Sequence, residues 1–328
     1  MTAQGLVTAI VGPTASGKSQ VAAAAAANLG AEIVAVDAFT IYRGMDIGTD
    51  KPVAGAIRHH MVDVLDPSQE CTAKWFQQRA RAAISEVLAR GRRALLVGGS
   101  GLYFRAVVDP LEFPPTDPRV RRAIEERYPD ASSAHAALRA VDPYGAERLD
   151  LANRRRAIRA LEVHELTGRP FSAFQVAWDR HESIYPDLQV IGLEVDRAVL
   201  SDRITRRVDA MLAAGWLDEA ARLRSRGLSR TAAAAIGYAE LWAHLDGACP
   251  LDEARERIIA RTRRYAVRQL RWFAADPRVT WMDPTAAAAE LLGRDVRRPL
   301  APTCAPRTRD RRGADRREHD EDGTDARH

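Results

Sequence analysis

Leu6-Val7-Thr8-Ala9-Ile10-Val11-Gly12-Pro13-Thr14-Ala15-Ser16-Gly17-Lys18-Ser19 is the stretch on which the fold turns. Its last eight residues fit G-x-x-x-x-G-K-[ST], with an apolar, strand-like run before them and a helix-favouring run, 18–29, after them. Gly12 and Gly17 let the backbone turn tightly, so that successive N–H groups point inward at phosphate oxygens. The helix N-terminus adds partial positive charge, Lys18 a mobile cation, and Ser19 a hydroxyl able to ligate Mg²⁺. Gly12, Pro13, Thr14, Ala15, Ser16, Gly17, Lys18 and Ser19 are therefore the candidate diphosphate-binding residues. The spacing announces a diphosphate or triphosphate without saying whose.

Working outward, residues 31–36 form a second apolar run that stops at Asp37. A third run, 92–97, stops at Gly98-Gly99-Ser100-Gly101, and helical periodicity fills 73–90 between them. Alternating strands and helices imply an α/β fold, a P-loop nucleotide-kinase-like parallel sheet covered on both faces. Ligands of such sheets gather at the carboxyl ends of the strands, where all three runs end in polar or glycine-rich residues. From Phe113-Pro114-Pro115-Thr116-Asp117-Pro118 the pattern turns to helices rich in Ala and Arg. Strand-like sequence returns at 188–195, followed by long amphipathic helices over 202–226 and 252–275. The expected organisation is a discontinuous core of 1–117 and 185–298, with an inserted helical domain at 118–184. Residues 299–328 are expected to be a near-neutral disordered tail.

The chain has 328 residues and a net charge of 49 − 44 = +5. That balance tolerates a polyanionic partner without proving one. No stretch suits a membrane helix, and the N-terminus lacks the basic start of a signal peptide. Cys71, Cys249 and Cys304 lie far apart, which argues against a disulfide framework or a zinc site. Secreted, membrane-spanning and collagenous classes are excluded, and a reducing cytoplasm is expected. An N-K-x-D guanine motif and the Asp of an ATPase motor are both missing. A small-molecule kinase, with Asp37 orienting a hydroxyl, stays open at this point.

Further residues narrow the choice. They are Asp37-Ala38-Phe39-Thr40-Ile41-Tyr42-Arg43-Gly44-Met45-Asp46-Ile47-Gly48-Thr49-Asp50-Lys51-Pro52, His59-His60-Met61-Val62-Asp63-Val64-Leu65-Asp66-Pro67 and Gly98-Gly99-Ser100-Gly101-Leu102-Tyr103. Later come Arg155-Arg156-Ala157-Ile158-Arg159-Ala160-Leu161-Glu162-Val163, Ala235-Ile236-Gly237-Tyr238 and Thr262-Arg263-Arg264-Tyr265-Ala266-Val267-Arg268-Gln269-Leu270. In this order the chain resembles the bacterial tRNA dimethylallyltransferases over roughly residues 6–285.

The resemblance implies transfer of a dimethylallyl group from dimethylallyl diphosphate to the exocyclic N6 amine of the adenosine 3′ of the anticodon. It implies a monomeric, Mg²⁺-dependent enzyme whose insertion grips the anticodon stem-loop. Asp37 would be the general base, Arg207 would reach the diphosphate, and Ser100 would contact the target nucleotide. Asp37 could instead hold Mg²⁺ through water, and Ser100 could be a helix N-cap. Ala38, Phe39, Thr40, Arg121, Arg155, Arg159, Tyr238 and Arg268, with Asp37 and Ser100, are the implied tRNA contacts. A solvated amphipathic helix would display Arg155 and Arg159 in the same way. His59 and His60 suit hydrogen-bonded structural roles better than metal ligation.

The chain departs from the family pattern at Phe39-Thr40, Ala234, Ala239 and Val267, all in adenine and RNA recognition. Two other readings remain: a prenyltransferase or kinase acting on a free nucleotide, and a tRNA-binding protein with impaired catalysis. The insertion argues against the first, since a small acceptor needs no helical arm. Retention of Lys18, Ser19, Asp37 and Arg207 argues against the second.

Overall fold

β1 (Val7–Val11) is buried at every position, as a central strand covered on both faces must be. The computed structural model, which describes residues 7–52, 55–174, 178 and 180–293, places it in the middle of a six-stranded sheet. Its companions are β2 (Ala31–Ala35), β3 (His59–His60), β4 (Arg93–Gly98), β5 (Gln189–Leu193) and β6 (Val279–Met282). The order is β3-β2-β4-β1-β5-β6 and every pairing is parallel. Val11 lies opposite Gly98 and Gly192, so the β1, β4 and β5 carboxyl ends meet at one edge.

Helices cover both faces. α1 (Lys18–Leu29) and, far along the chain, α12 (Pro284–Leu292) bury Val21, Leu29, Ala287 and Leu291 against Ile10, Ile33 and Leu95. α2 (Ala73–Ala89), α3 (Gly101–Val108), α8 (Arg197–Ala213), α9 (Trp216–Arg226), α10 (Tyr238–Leu245) and α11 (Leu251–Ala274) build the larger core. Tyr42, Phe76, Phe104, Trp216, Tyr238 and Phe273 are its fully buried aromatic members. Between α3 and β5 lie α4 (Pro118–Arg127), α5 (Ala131–Val141), α6 (Pro143–Glu147) and α7 (Arg154–Thr167). These four pack round a small core of their own, with Ile124, Leu138, Ile158 and Leu161 at its centre.

Three features differ from the sequence pattern. The amphipathic run 202–226 is two helices, broken at Gly215, whose φ of +95° suits glycine. α8 also starts earlier, at Arg197, because the Asp196 carboxylate accepts from the N–H groups of Ala198 and Val199. β3, β6 and α12 are additional elements. The first two have only two and four residues, too short to show a period. Residues 299–328, expected to form a tail, lie outside the described residues.

Candidate active site

The phosphate loop has the strain its glycines predict. φ is +143° at Gly12 and +95° at Gly17, and Ala15 is also left-handed at +63°. A side chain at Gly12 would press on the Leu193 carbonyl at 3.2 Å. Ser16 is fully buried, and its hydroxyl has no hydrogen-bond partner among the described residues. Lys18 donates to the Pro13 carbonyl at 2.5 Å. Burial first, and the Arg207 charge second, push the Lys18 amine down to about 7, with Asp37 and Asp50 pulling the other way. A cation held this poorly gains a great deal from an incoming anion.

Arg207 arrives from α8. Its guanidinium donates to Thr14 Oγ1 at 2.9 Å and lies 3.4 Å from the Asp50 carboxylate. Asp37 stands just beyond the end of β2, where its Oδ1 accepts from the N–H groups of Phe39 (2.8 Å) and Thr40 (3.3 Å). That turn orients the carboxylate. Thr14, Lys18, Ser19, Asp37, Asp50 and Arg207 line one cavity of about 530 Å³. Phe39, Thr40, Tyr265 and Gln269 share its wall, and Thr40 Oγ1 is buried with no partner among the described residues. Burial and the Asp37 charge hold the Tyr265 phenol well above its ordinary range, so it remains a neutral hydroxyl.

Gln269 ties the site together. Its Oε1 accepts from Thr14 N–H at 2.8 Å, and its Nε2 donates to the Gly99 carbonyl at 2.9 Å. Close packing requires the glycine run at the end of β4: a Cβ on Gly98 would fall 1.9 Å from the Val36 carbonyl, one on Gly99 2.2 Å from Gln269 Nε2, and one on Gly101 1.9 Å from the Trp272 ring. Ser100 occupies the N-cap of α3, yet its side chain makes no capping bond. It is half-buried, whereas Gly98 and Gly99 line the cavity.

The family described as IPP transferase matches residues 40–276, and that described as Isopentenyl transferase matches residues 5–67. The chain belongs to the IPP transferase family. A tRNA dimethylallyltransferase of Pseudarthrobacter chlorophenolicus is 50% identical over 284 residues, which is 84% of this chain and 93% of that protein. The solved tRNA isopentenylpyrophosphate transferase of Bacillus halodurans is 38% identical with a TM-score of 0.65, covering 88% of this chain and 95% of its own. A eukaryotic dimethylallyltransferase solved acting on tRNA gives a TM-score of 0.74 at 25% identity, covering 85% and 73%.

Other residues of this IPP transferase sit away from the cavity or act indirectly. Tyr238 is fully buried and donates to Glu219 Oε1 at 2.8 Å. The same Glu219 accepts from the N–H groups of Asp46, Ile47 and Gly48 at 2.8 to 3.0 Å. Tyr238 thus steadies the 46–48 turn and offers no surface to RNA. Arg121 and Arg159 both donate to the buried Glu162, at 2.7 Å each, and Arg159 also holds the Pro114 and Pro115 carbonyls. Thr116 Oγ1 and Asp117 N–H complete the Glu162 shell at 2.8 and 2.9 Å. Burial alone would raise that carboxyl, but the hydrogen bonds outweigh it and leave it below the ordinary range. Arg155 is exposed, and so is Arg268, whose guanidinium lies 5.6 Å from the Tyr265 ring centre. His60 pairs with Glu32 at 2.6 Å and His59 with the Ile57 carbonyl at 3.0 Å.

Among the described residues no three His, Cys, Asp or Glu side chains gather as a metal cage. The oxygen donors are the exposed Ser19 hydroxyl and the Asp37 and Asp50 carboxylates. That set fits a Mg²⁺ ion held chiefly by phosphate oxygens with one protein hydroxyl. No described helix is long and apolar enough to cross a membrane.

Proposed function

We propose that the protein transfers a dimethylallyl group from dimethylallyl diphosphate to the N6 amine of the adenosine 3′ of the anticodon in tRNA. The observation that carries this reading is the meeting of Arg207 with Thr14, 193 positions away, beside Asp37 in one cavity. An anion clamp and a carboxylate base then flank a single reacting carbon.

The exocyclic amine is a weak nucleophile, its lone pair delocalised into the ring. Asp37 takes the amine proton as the new N–C bond forms, and the C–O bond to diphosphate breaks. The growing charge on the leaving diphosphate meets the loop N–H groups, Lys18 and Arg207. A Mg²⁺ ion held by Ser19 and the diphosphate would supply further neutralisation there. Unstacking the target base costs least in a single-stranded loop, which suits an anticodon substrate. Arg155 on α7 and Arg268 on α11 are the exposed arginines assigned to RNA phosphates, and α4–α7 form the arm that grips the stem-loop. The enzyme acts as a monomer in the cytoplasm.

The test is nucleoside mass spectrometry after incubating unmodified tRNA with the protein, Mg²⁺ and dimethylallyl diphosphate. One dimethylallyl group gained on adenosine, with free adenylate left untouched, supports the reading. Transfer to free adenylate would replace it with a small-molecule prenyltransferase. Bound tRNA without transfer would leave an RNA-binding protein.

A further inference from the structure

The cavity does not end at the anion clamp. It continues into an apolar section walled by Ile204, Val208, Met211, Trp216, Ala235 and Ile236. Ile204, Arg207, Val208 and Met211 lie at i, i+3, i+4 and i+7, a single face of α8. The helix therefore measures the cavity from its charged end. Arg207 marks the diphosphate through Thr14, and Met211 stands one turn further on, about 6 Å at the rise of an α-helix. Gly215 then turns the chain so that Trp216, at the first position of α9, closes that end.

Trp216 cannot swing aside. It is 2% exposed. A Cβ on Gly48 would lie 2.2 Å from its Nε1, and one on Gly237 would lie 2.2 Å from its six-membered ring. The Tyr238 ring meets it edge-on at 6.1 Å. The indole is clamped between two glycine backbones and an aromatic edge, and Tyr238 is itself held by Glu219.

We propose that Met211 and Trp216 set the length of the prenyl donor, admitting a five-carbon chain and stopping a ten-carbon one. This rests on the dimethylallyl-transfer reading above. A dimethylallyl group spans about one helical turn from the departing oxygen, and a second prenyl unit needs a second span of the same order. Packed side chains yield little, so the added carbons meet the buried Met211 and Trp216.

The experiment competes dimethylallyl diphosphate against geranyl diphosphate on unmodified tRNA and reads both adducts by nucleoside mass spectrometry. Wild type is expected to form the dimethylallyl adduct alone. Met211→Ala and Trp216→Leu are each expected to raise the geranyl-to-dimethylallyl ratio of kcat/KM by about tenfold or more. Because either variant can lose its fold, inhibition by inorganic diphosphate serves as a check on the clamp. A reverse variant, Ala235→Leu, fills the section instead. It is expected to raise KM for dimethylallyl diphosphate while leaving inhibition by inorganic diphosphate unchanged. Geranyl transfer by wild type, or an unchanged ratio in variants that still bind diphosphate, overturns the assignment of length control. Failure of wild type to transfer the five-carbon group overturns the underlying reading as well, which keeps the two failures distinct.

Discussion

The charges at the cavity and the charges at the foot of α4–α7 are satisfied to very different degrees. Lys18 is a cation pushed down to about 7 by burial and by a second cation, Arg207. Glu162 is an anion with no exposure that gathers two guanidinium groups, a hydroxyl and a backbone N–H. The first arrangement is unfavourable until a polyanion arrives. The second is complete within the chain. Strain retained at one place is affordable only where other contacts over-determine the fold. The cavity should accordingly carry function at a cost to stability, and the Glu162 cluster should carry stability with little direct chemistry.

The sharpest test of that division is Asp37→Ala. It should lower kcat by about 10²–10⁴ fold while tRNA affinity holds, measured by single-turnover transfer and filter binding. An equal loss of affinity would move Asp37 from chemistry to recognition. In that cluster, Glu162→Ala leaves Arg121 and Arg159 without their shared anion. Its unfolding free energy should fall by about 3 kcal/mol in urea titration. An unchanged midpoint would mean that the cluster contributes nothing to stability.

A second satisfied charge extends the contrast to the sheet edge. Hydrogen bonds from Arg90 chiefly, then His60, hold Glu32 down at about 2 against the opposing effect of burial. Its folded value lies below its unfolded one, so the stabilisation is full above about 4.5 and lost as pH falls towards 2. Glu32→Gln should be less stable by roughly 2 kcal/mol at pH 7, and the gap should close across that window. A gap independent of pH would refute the ionic account.

Removing the Lys18 charge should act in the opposite direction, stabilising where removal of the Glu32 charge destabilises, although both charges make stability rise with pH. Its folded value, about 7, is below its ordinary 10.5, so the unfolded chain binds the extra proton between them and stability rises with pH there. Lys18→Met should therefore raise stability by about 1 kcal/mol at pH 6, an advantage that fades towards pH 10. Diphosphate binding should be lost in the same variant, as read by calorimetry. The smallest effect belongs to Arg155→Ala. It should leave the melting temperature alone and reduce the salt slope of tRNA binding by about one.

How much of this was legible in the sequence divides along the same line. The phosphate loop, β1, β4 and the glycine run after β4 are local: residue type and spacing along a few positions dictate backbone turns. Asp37 and Ser19 follow from standing at strand and helix ends. Asp50, Tyr265 and Gln269 stand inside stretches that carry the family resemblance, yet residue type and spacing gave them no role, and only tertiary packing brings them to the cavity. Arg121 and Arg159 illustrate the converse, because an arginine stripe reads the same whether it faces water, RNA or a buried Glu162. The break at Gly215 was signalled by a single glycine inside an otherwise continuous amphipathic pattern. Tyr238 carries a motif position, yet only the structure reveals that it serves Glu219 and, through it, the 46–48 turn.

The bridge from Thr14 through Gln269 to Gly99 has a consequence for the order in which the molecule becomes competent. Thr14 and Gln269 are 255 residues apart. At a synthesis rate of about 5–20 residues per second, roughly 13–50 s separate their appearance on the ribosome. During that interval the nascent chain displays a phosphate loop whose brace and whose Arg207 partner have yet to be made. The loop is among the first pieces to be written, and its brace from Gln269 is among the last to be added, in place only once α11 has emerged and docked.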